Sequence, residues 1–272
     1  MHLSGLFIYP VKSLRGIPVR SATVDALGLV GDRRFLVVDE RGRFLTQRVL
    51  PRMALIETEL TETHLILRHS QGVELSVPIQ TSGVPAIRSV TVWSSEGLIA
   101  EDCGNDPCKW LSSFLGVSCH LVRIGKQFRR PVSNVGAYEG DVFTFADGYP
   151  FLAVGEASLA DLNKRITRHG EEAVPMNRFR PNLVIGGSSS FAEDNWPRIR
   201  IGSVIFRSGS QCERCVITTT DQLTATRGKE PLRTLASYRR SMTDPTAVVF
   251  GQNLIHETKS GGLQLGDNVE LI

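Results

Sequence analysis

Short β-branched or alternating apolar runs, cut by Gly, Asp, Asn and Thr-Glu turns along almost the whole length, constrain this chain more than any other feature. Leu6-Phe7-Ile8-Tyr9, Phe35-Leu36-Val37-Val38, Met53 to Leu60, Leu65 to Leu67 and Val73 to Ile79 read as strands. Arg41-Gly42 and Thr61-Glu62 read as hairpin tips, and Ile87 to Ala100 as a further pair turning at Ser94-Ser95-Glu96-Gly97. The pattern resumes in Asn182 to Ile185, Ile199 to Phe206, Ala247 to Phe250 and Leu263 to Ile272. Three helices interrupt it. One opens at Asp106-Pro107 and ends at Gly116, a second runs from about Glu156 to Arg168, and a third from about Glu230 to Arg240. The class is therefore β-rich α+β. A length of 272 residues suits one large or two small cores. The least periodic stretch, basic Lys126-Gln127-Phe128-Arg129-Arg130-Pro131 followed by Asn134 to Gly140, places a boundary between residues 1–125 and 126–272.

Composition removes several function classes. The net charge is +3, but the basic residues are dispersed rather than gathered into a block with interleaved aromatics, so nucleic acid is not expected as a partner. No run of about 18 apolar residues occurs, and the first residues lack a basic segment followed by an apolar one. A membrane span is not expected, and the cytoplasm is the expected compartment. Five cysteines, at 103, 108, 119, 212 and 215, are an odd number in such a chain, so a disulfide framework is not expected. Cys103, Cys108 and Cys119 read as small buried apolar residues.

Cys212-Glu213-Arg214-Cys215 is different. A lone Cys-x-x-Cys reads as half a zinc site, a dithiol redox pair, or a strand coincidence. No His-x3-His or His-Glu-x-x-His arrangement supplies further zinc ligands. The following Val216-Ile217-Thr218-Thr219-Thr220 is strand-like, whereas a thioredoxin-type pair opens a helix. These features disfavour both readings and leave a thiolate beside Arg214, a soft ligand suited to a heavier transition metal. Arg178 and Arg180 fall on one side of a segment read as extended. Taken alone, Lys12, Arg33 and Arg180 would pass for solvated or strand-edge residues.

Taken in order, the blocks resemble a known family. Ile8-Tyr9-Pro10-Val11-Lys12-Ser13, Gly31-Asp32-Arg33-Arg34-Phe35, Asp147-Gly148-Tyr149-Pro150 with Glu156-Ala157-Ser158-Leu159, Phe179-Arg180-Pro181-Asn182, Cys212-x-x-Cys215 with Thr218-Thr219, Lys229-Glu230-Pro231-Leu232 and Phe250-Gly251-Gln252 are similar to the MOSC superfamily. Within it they resemble the amidoxime-reducing-component branch and its bacterial YcbX-type relatives. The resemblance implies an N-terminal MOSC-associated β-barrel domain packed with a MOSC β-barrel domain. It also implies a molybdenum cofactor, Mo-molybdopterin, whose metal takes the thiolate of Cys215, with Cys212 a neighbour. By position it implies cofactor contacts from Lys12, Ser13, Arg33, Asp147, Gly148, Tyr149, Arg180, Asn182, Glu213, Arg214 and Asn253. Such a ligand is anionic and rich in acceptors, and needs fixed cations and backbone N–H groups.

Glu213, Gly148, Tyr149 and Asn253 depart from the residue types of the eukaryotic relatives, so side-chain contacts there are less firmly implied than those of Lys12, Arg33, Arg180 and Cys215. The implied reaction is reduction of small N-hydroxylated substrates, such as hydroxylamines, amidoximes and N-hydroxylated nucleobases, to the amine, amidine or base. Some bacterial relatives add a [2Fe-2S] domain, which needs four further cysteines. This chain stops after the last MOSC strand, so no Fe-S cluster is expected. Electrons are then expected from a separate ferredoxin, flavodoxin or cytochrome b5-like protein with its reductase. Two rival roles are a sulfur relay through a Cys215 persulfide and a non-catalytic carrier of the cofactor.

Overall fold

The structure is a computed structural model that describes residues 1–70 and 72–272. Its centre is an eight-stranded sheet in the order Val269–Leu271, Arg198–Ile201, Val204–Arg214, Val248–His256, Phe151–Gly155, Leu183–Gly186, His2–Ile8 and Ile17–Pro18. All the pairings are antiparallel except that of Phe151–Gly155 with Leu183–Gly186, which the helix Glu156–Arg168 connects. That crossover follows from the sequence: parallel neighbours need a long connection, and Leu162 and Ile166 give its helix a buried stripe. A four-stranded sheet carries most of the first half, in the order Phe35–Val38, His120–Ile124, Ser95–Asp102 and Ile87–Val92. Two three-stranded sheets complete the fold.

The two halves of the chain interlock. The first strand, His2–Ile8, lies inside the large sheet beside Leu183–Gly186, and Ser21–Asp25 pairs with Gly261–Gln264. Leu3, Leu6, Phe151, Leu183, Ile199, Phe206 and Leu254 share one core. On the other face Leu162, Ile166, Phe179, Leu235 and Phe250 form a second. The N-terminal sheets enclose two further cores around Phe35, Met53, Leu111 and Phe114, and around Leu36, Val90, Val122 and Phe145.

Several local expectations change. Met53 to Leu60 is not one strand: Pro51 opens a 3-10 turn, Pro51–Leu55, that buries Met53 and Ala54, and the strand starts at Glu57. Ile199 to Phe206 is a tight hairpin with Gly202 at its tip, in the left-handed region at φ 53°. The helix expected over 230–240 is confined to Leu232–Leu235, because Ser237 turns its hydroxyl back onto Thr234 O and the chain bends toward the large sheet. Ile87 to Ala100 turns at Trp93-Ser94, earlier than its sequence suggests, with Trp93 at φ 57°. Of Val73 to Ile79, Leu75–Pro78 is strand, while Gln71 lies outside the described residues.

Candidate functional site

Loops and turns of the N-terminal half, together with strands of the large sheet and the loops beside them, enclose a cleft of about 670 Å³. All twelve residues named from the sequence line it: Lys12, Ser13, Arg33, Asp147, Gly148, Tyr149, Arg180, Asn182, Glu213, Arg214, Cys215 and Asn253. They come from six separate segments, so only the folded chain brings them together.

Tyr9 organises the cationic wall. The ring is buried, with the Arg33 and Arg180 guanidinium groups each 4.3 Å from its centroid, and its hydroxyl donates to Pro181 O at 3.1 Å. Burial pushes the phenol up to about 12, against the lowering effect of those two cations. A side chain at Gly16 would collide with this ring, so the chain passes it only as glycine. Arg33 donates to Asp32 Oδ2 at 2.7 Å, to Asn182 Oδ1 at 3.0 Å and to Arg180 O at 3.2 Å. Arg180 donates to Leu14 O at 2.8 Å, and burial pulls its guanidinium down to about 10. Asn182 also accepts from Leu152 N and donates to Phe7 O, fixing the junction of two central strands.

Lys12 projects from the opposite side. It is only 5% exposed, and its ammonium donates to Phe145 O at 2.8 Å and to the Asp147 carboxylate. Burial lowers its pKa to about 8, with Asp147 acting in the other direction. Asp147 itself also accepts from Trp93 Nε1 at 3.0 Å and lies 3.5 Å from Arg48. Burial raises its pKa, but Lys12, Arg48 and the two hydrogen bonds outweigh that and hold it well below the usual carboxylate range.

Cys215 follows the long strand Val204–Arg214 and directly precedes the 3-10 turn Val216–Thr219. This corrects the strand expected over 216–220. Thr218 and Thr219 return their hydroxyls to Cys215 O at 2.9 Å and Val216 O at 2.8 Å, competing with strand pairing despite their β-branching. The exclusion of a dithiol pair on strand context is correspondingly weaker. Arg214 also departs from expectation, donating to Cys212 Sγ at 2.9 Å and to Phe179 O at 2.6 Å. Arg178 sits on a 3-10 turn rather than an extended segment and pairs with Asp221 at 2.9 Å, while Arg180 alone reaches the cleft.

Three cleft residues escaped sequence reasoning. Arg48 stacks 4.5 Å from the Trp93 ring centroid, and its Nη1 is buried without a hydrogen-bond partner. Trp93, 44% exposed, packs at 5.0 Å against Phe44. Arg130 is buried and braces the Asp147 loop through Thr144 O and Ala146 O at 3.0 and 2.6 Å. The basic run around Arg130 was the available signal, but it read as a domain boundary. Six non-glycine residues among those described have positive φ, and four of them line this cleft: Ser13, Arg33, Trp93 and Arg180. Backbone strain of this kind concentrates at ligand-binding sites.

The donor set can be tested against a molybdopterin. Among the described residues no group of three or more His, Cys, Asp and Glu stands together to hold a bare metal ion. What the cleft offers is the thiols of Cys212 and Cys215, six cationic side chains in Lys12, Arg33, Arg48, Arg130, Arg180 and Arg214, and buried guanidinium nitrogens without partners at Arg48 Nη1 and Arg214 Nε. That set fits an anionic organic ligand carrying its own metal, with the protein adding a single soft ligand.

Comparison with known proteins agrees with this geometry. The model for the MOSC N-terminal beta barrel domain matches residues 1–118, and the model for the MOSC domain matches residues 140–270. Fold and site together define a MOSC protein with its N-terminal barrel. Mitochondrial amidoxime-reducing component 1 of Homo sapiens is 36% identical over 283 residues, covering 98% of this chain and 82% of that protein. Mitochondrial amidoxime reducing component 2 of Bos taurus is 35% identical, with 98% and 82% covered. Molybdenum cofactor sulfurase of Danio rerio is 33% identical over 279 residues, 94% of this chain but 32% of that longer protein. The chain belongs to the MOSC family and, at this identity over nearly its full length, to the amidoxime-reducing components within it. No helix among the described residues is long and apolar enough to cross a membrane.

Proposed function

We propose that this protein is a molybdenum-cofactor-dependent reductase of N-hydroxylated compounds, with Cys215 as the protein's thiolate ligand to the metal. The observation that carries the reading is the convergence of a thiol and six cations from distant segments on one cleft. The overall reaction takes R–NH–OH, two electrons and two protons to R–NH2 and water. A bound molybdenum cofactor supplies the two-electron chemistry that breaks the N–O bond.

The chain's own residues do the rest. Lys12, Arg33, Arg48 and Arg180 supply charge for the anionic part of the cofactor, and Asn182 and Asp147 hold those cations in place. Arg214, tied to Phe179 O, fixes the end of the strand that presents Cys215. The cleft opens to solvent beside Trp93 and the exposed Met242, admitting substrate and the two protons from water. Electrons come in this reading from a separate donor protein.

Metal analysis of protein made in hosts able and unable to synthesise the cofactor tests the reading, together with Cys215→Ala. Molybdenum is expected only from the competent host and is expected to be lost in the variant. Wild-type protein free of molybdenum from the competent host would remove the central claim. The similarity to a molybdenum cofactor sulfurase favours one second reading, a sulfur relay on Cys215. Intact-mass measurement then finds one extra sulfur atom on Cys215, and no reduction of N-hydroxylated substrates with an artificial donor.

A further inference from the structure

Beneath the cleft lies a pair of polar side chains that are not part of its lining. Gln47 is fully buried and Gln222 is 4% exposed. Their amides face each other reciprocally, Gln47 Nε2 to Gln222 Oε1 and Gln222 Nε2 to Gln47 Oε1, each at 3.0 Å. The remaining N–H groups are spent in opposite directions. Gln47 donates to Ser13 O at 2.8 Å, and Gln222 donates to Thr220 O at 3.0 Å.

These two acceptors are the informative part. Ser13 neighbours Lys12 and holds a strained φ of 68°. Thr220 closes the 3-10 turn that begins immediately after Cys215. The amide pair is therefore a closed circuit of four hydrogen bonds running from the cationic arm of the cleft to the segment carrying the thiol. Flanking contacts follow the same path: Arg15 Nη2 donates to Gln222 O at 3.2 Å, and Arg227 Nη2 donates to Gln47 O and Arg48 O at 2.5 and 2.7 Å. Burying two amides is costly unless every group is satisfied, and two apolar side chains would fill the same volume without that requirement. What an apolar pair cannot reproduce is direction, because a satisfied polar network in a low-dielectric interior specifies one arrangement.

We propose that the buried Gln47–Gln222 amide pair is a positioning element that fixes the Cys215 turn relative to the Lys12–Ser13 arm, and so sets where the thiol stands against the cation cradle. The pair touches no reacting atom; it acts through Ser13 and Thr220. The proposal rests on Cys215 being the working thiol, and its test is independent of molybdenum.

Alkylation of Cys215 and Cys212 by iodoacetamide is followed separately, by peptide mass spectrometry, in cofactor-free protein. Gln47→Met and Gln222→Met keep the volume and remove the hydrogen bonds. Each is expected to change the Cys215 rate at least fivefold while Cys212, held on the strand by Arg214, stays within twofold. Unchanged Cys215 rates in folded variants, or equal changes at both thiols, overturn the proposal by showing no coupling or a general loosening. Hydrogen exchange of the wild-type protein covers the case in which the variants do not fold. The amides of Leu14, Leu50 and Thr220, each bonded within one of the three joined segments, are expected to open as one unit with a common protection factor to within threefold. Independent opening overturns the proposal equally.

Discussion

Asp147→Asn isolates the dependence of the Lys12 charge on a carboxylate supplied from across the cleft. Lys12 is nearly inaccessible to water and has two acceptors, the neutral Phe145 O and the Asp147 carboxylate. Two unit charges about 4 Å apart at an effective dielectric constant of about 20 attract by roughly 4 kcal/mol. The Asp147 side chain is 56% exposed, and solvent screening brings this to about 2 kcal/mol. At 1.36 kcal/mol per pKa unit, that loss lowers the Lys12 pKa by roughly 1.5 units.

The sign of the pH dependence follows. Lys12 has a folded pKa of about 8 against 10.5 ordinarily, so the folded state binds fewer protons between these values and stability rises with pH across that window. In the variant the rise begins roughly 1.5 units earlier, near pH ~6.5. The cost of Asp147→Asn is therefore largest at pH 6, about 2 kcal/mol, and declines through the next two units until it disappears near pH ~9. Asp147 stays ionised throughout, because its pKa is held well below the usual range. Arg48 also loses its ion pair with the carboxylate, which adds an offset independent of pH, while the Asn oxygen can still accept from Trp93 Nε1. Denaturant unfolding of both proteins at pH 6, 7, 8 and 9 measures the difference. A constant difference across that range would refute the coupling of Lys12 to Asp147 as the source of the effect.

Two further substitutions probe the cationic wall. Phe179→Ala removes a fully buried ring packed with a tilt against Phe250, centroids 4.2 Å apart, and is expected to cost about 3–5 kcal/mol of unfolding free energy in a denaturant melt; a cost under ~1 kcal/mol would show that this core relaxes around the gap. Tyr9→Phe leaves the rings in place but strips Pro181 O of its donor at 3.1 Å, an expected loss of about 1–3 kcal/mol. Urea unfolding that matches wild type would mean that water or another donor replaces the phenol.

How much of this was legible in the sequence depends on which interaction decides each segment. Strands built on unbroken apolar runs, such as Phe35–Val38 and His64–Arg68, and helices with a clean apolar stripe, such as Glu156–Arg168, follow from local pattern. Val216–Thr219 does not, since its β-branched residues favour a strand while Thr218 and Thr219 side chains bond backward to the chain. The short helix Leu232–Leu235 failed for a similar reason, with Ser237 capturing a backbone carbonyl. The candidate site was legible only through ordered blocks resembling a family. Composition offered no reason to join Lys12 to Asp147, 135 residues away. Arg48 and Arg130 carried no motif, and Arg130 lay in a run whose low periodicity marked a domain boundary.

Trp93 shows most clearly why the remainder was hidden. Ser94-Ser95-Glu96-Gly97 is the better turn sequence, and no residue preference would put a bulky aromatic at φ 57°. The chain does so because Phe44 and Arg48 from one segment and Asp147 from another hold the indole. The other three strained residues of the cleft are supported in the same way: Ser13 by Gln47, Arg33 by Asn182, and Arg180 by Leu14 O. In each case the partner that makes the conformation tolerable lies at least 34 positions away. Local sequence therefore opposes these conformations, and they exist only once distant parts of the chain have packed on one another. The cleft is thus a product of the completed tertiary structure, and its cations are aimed before any ligand arrives.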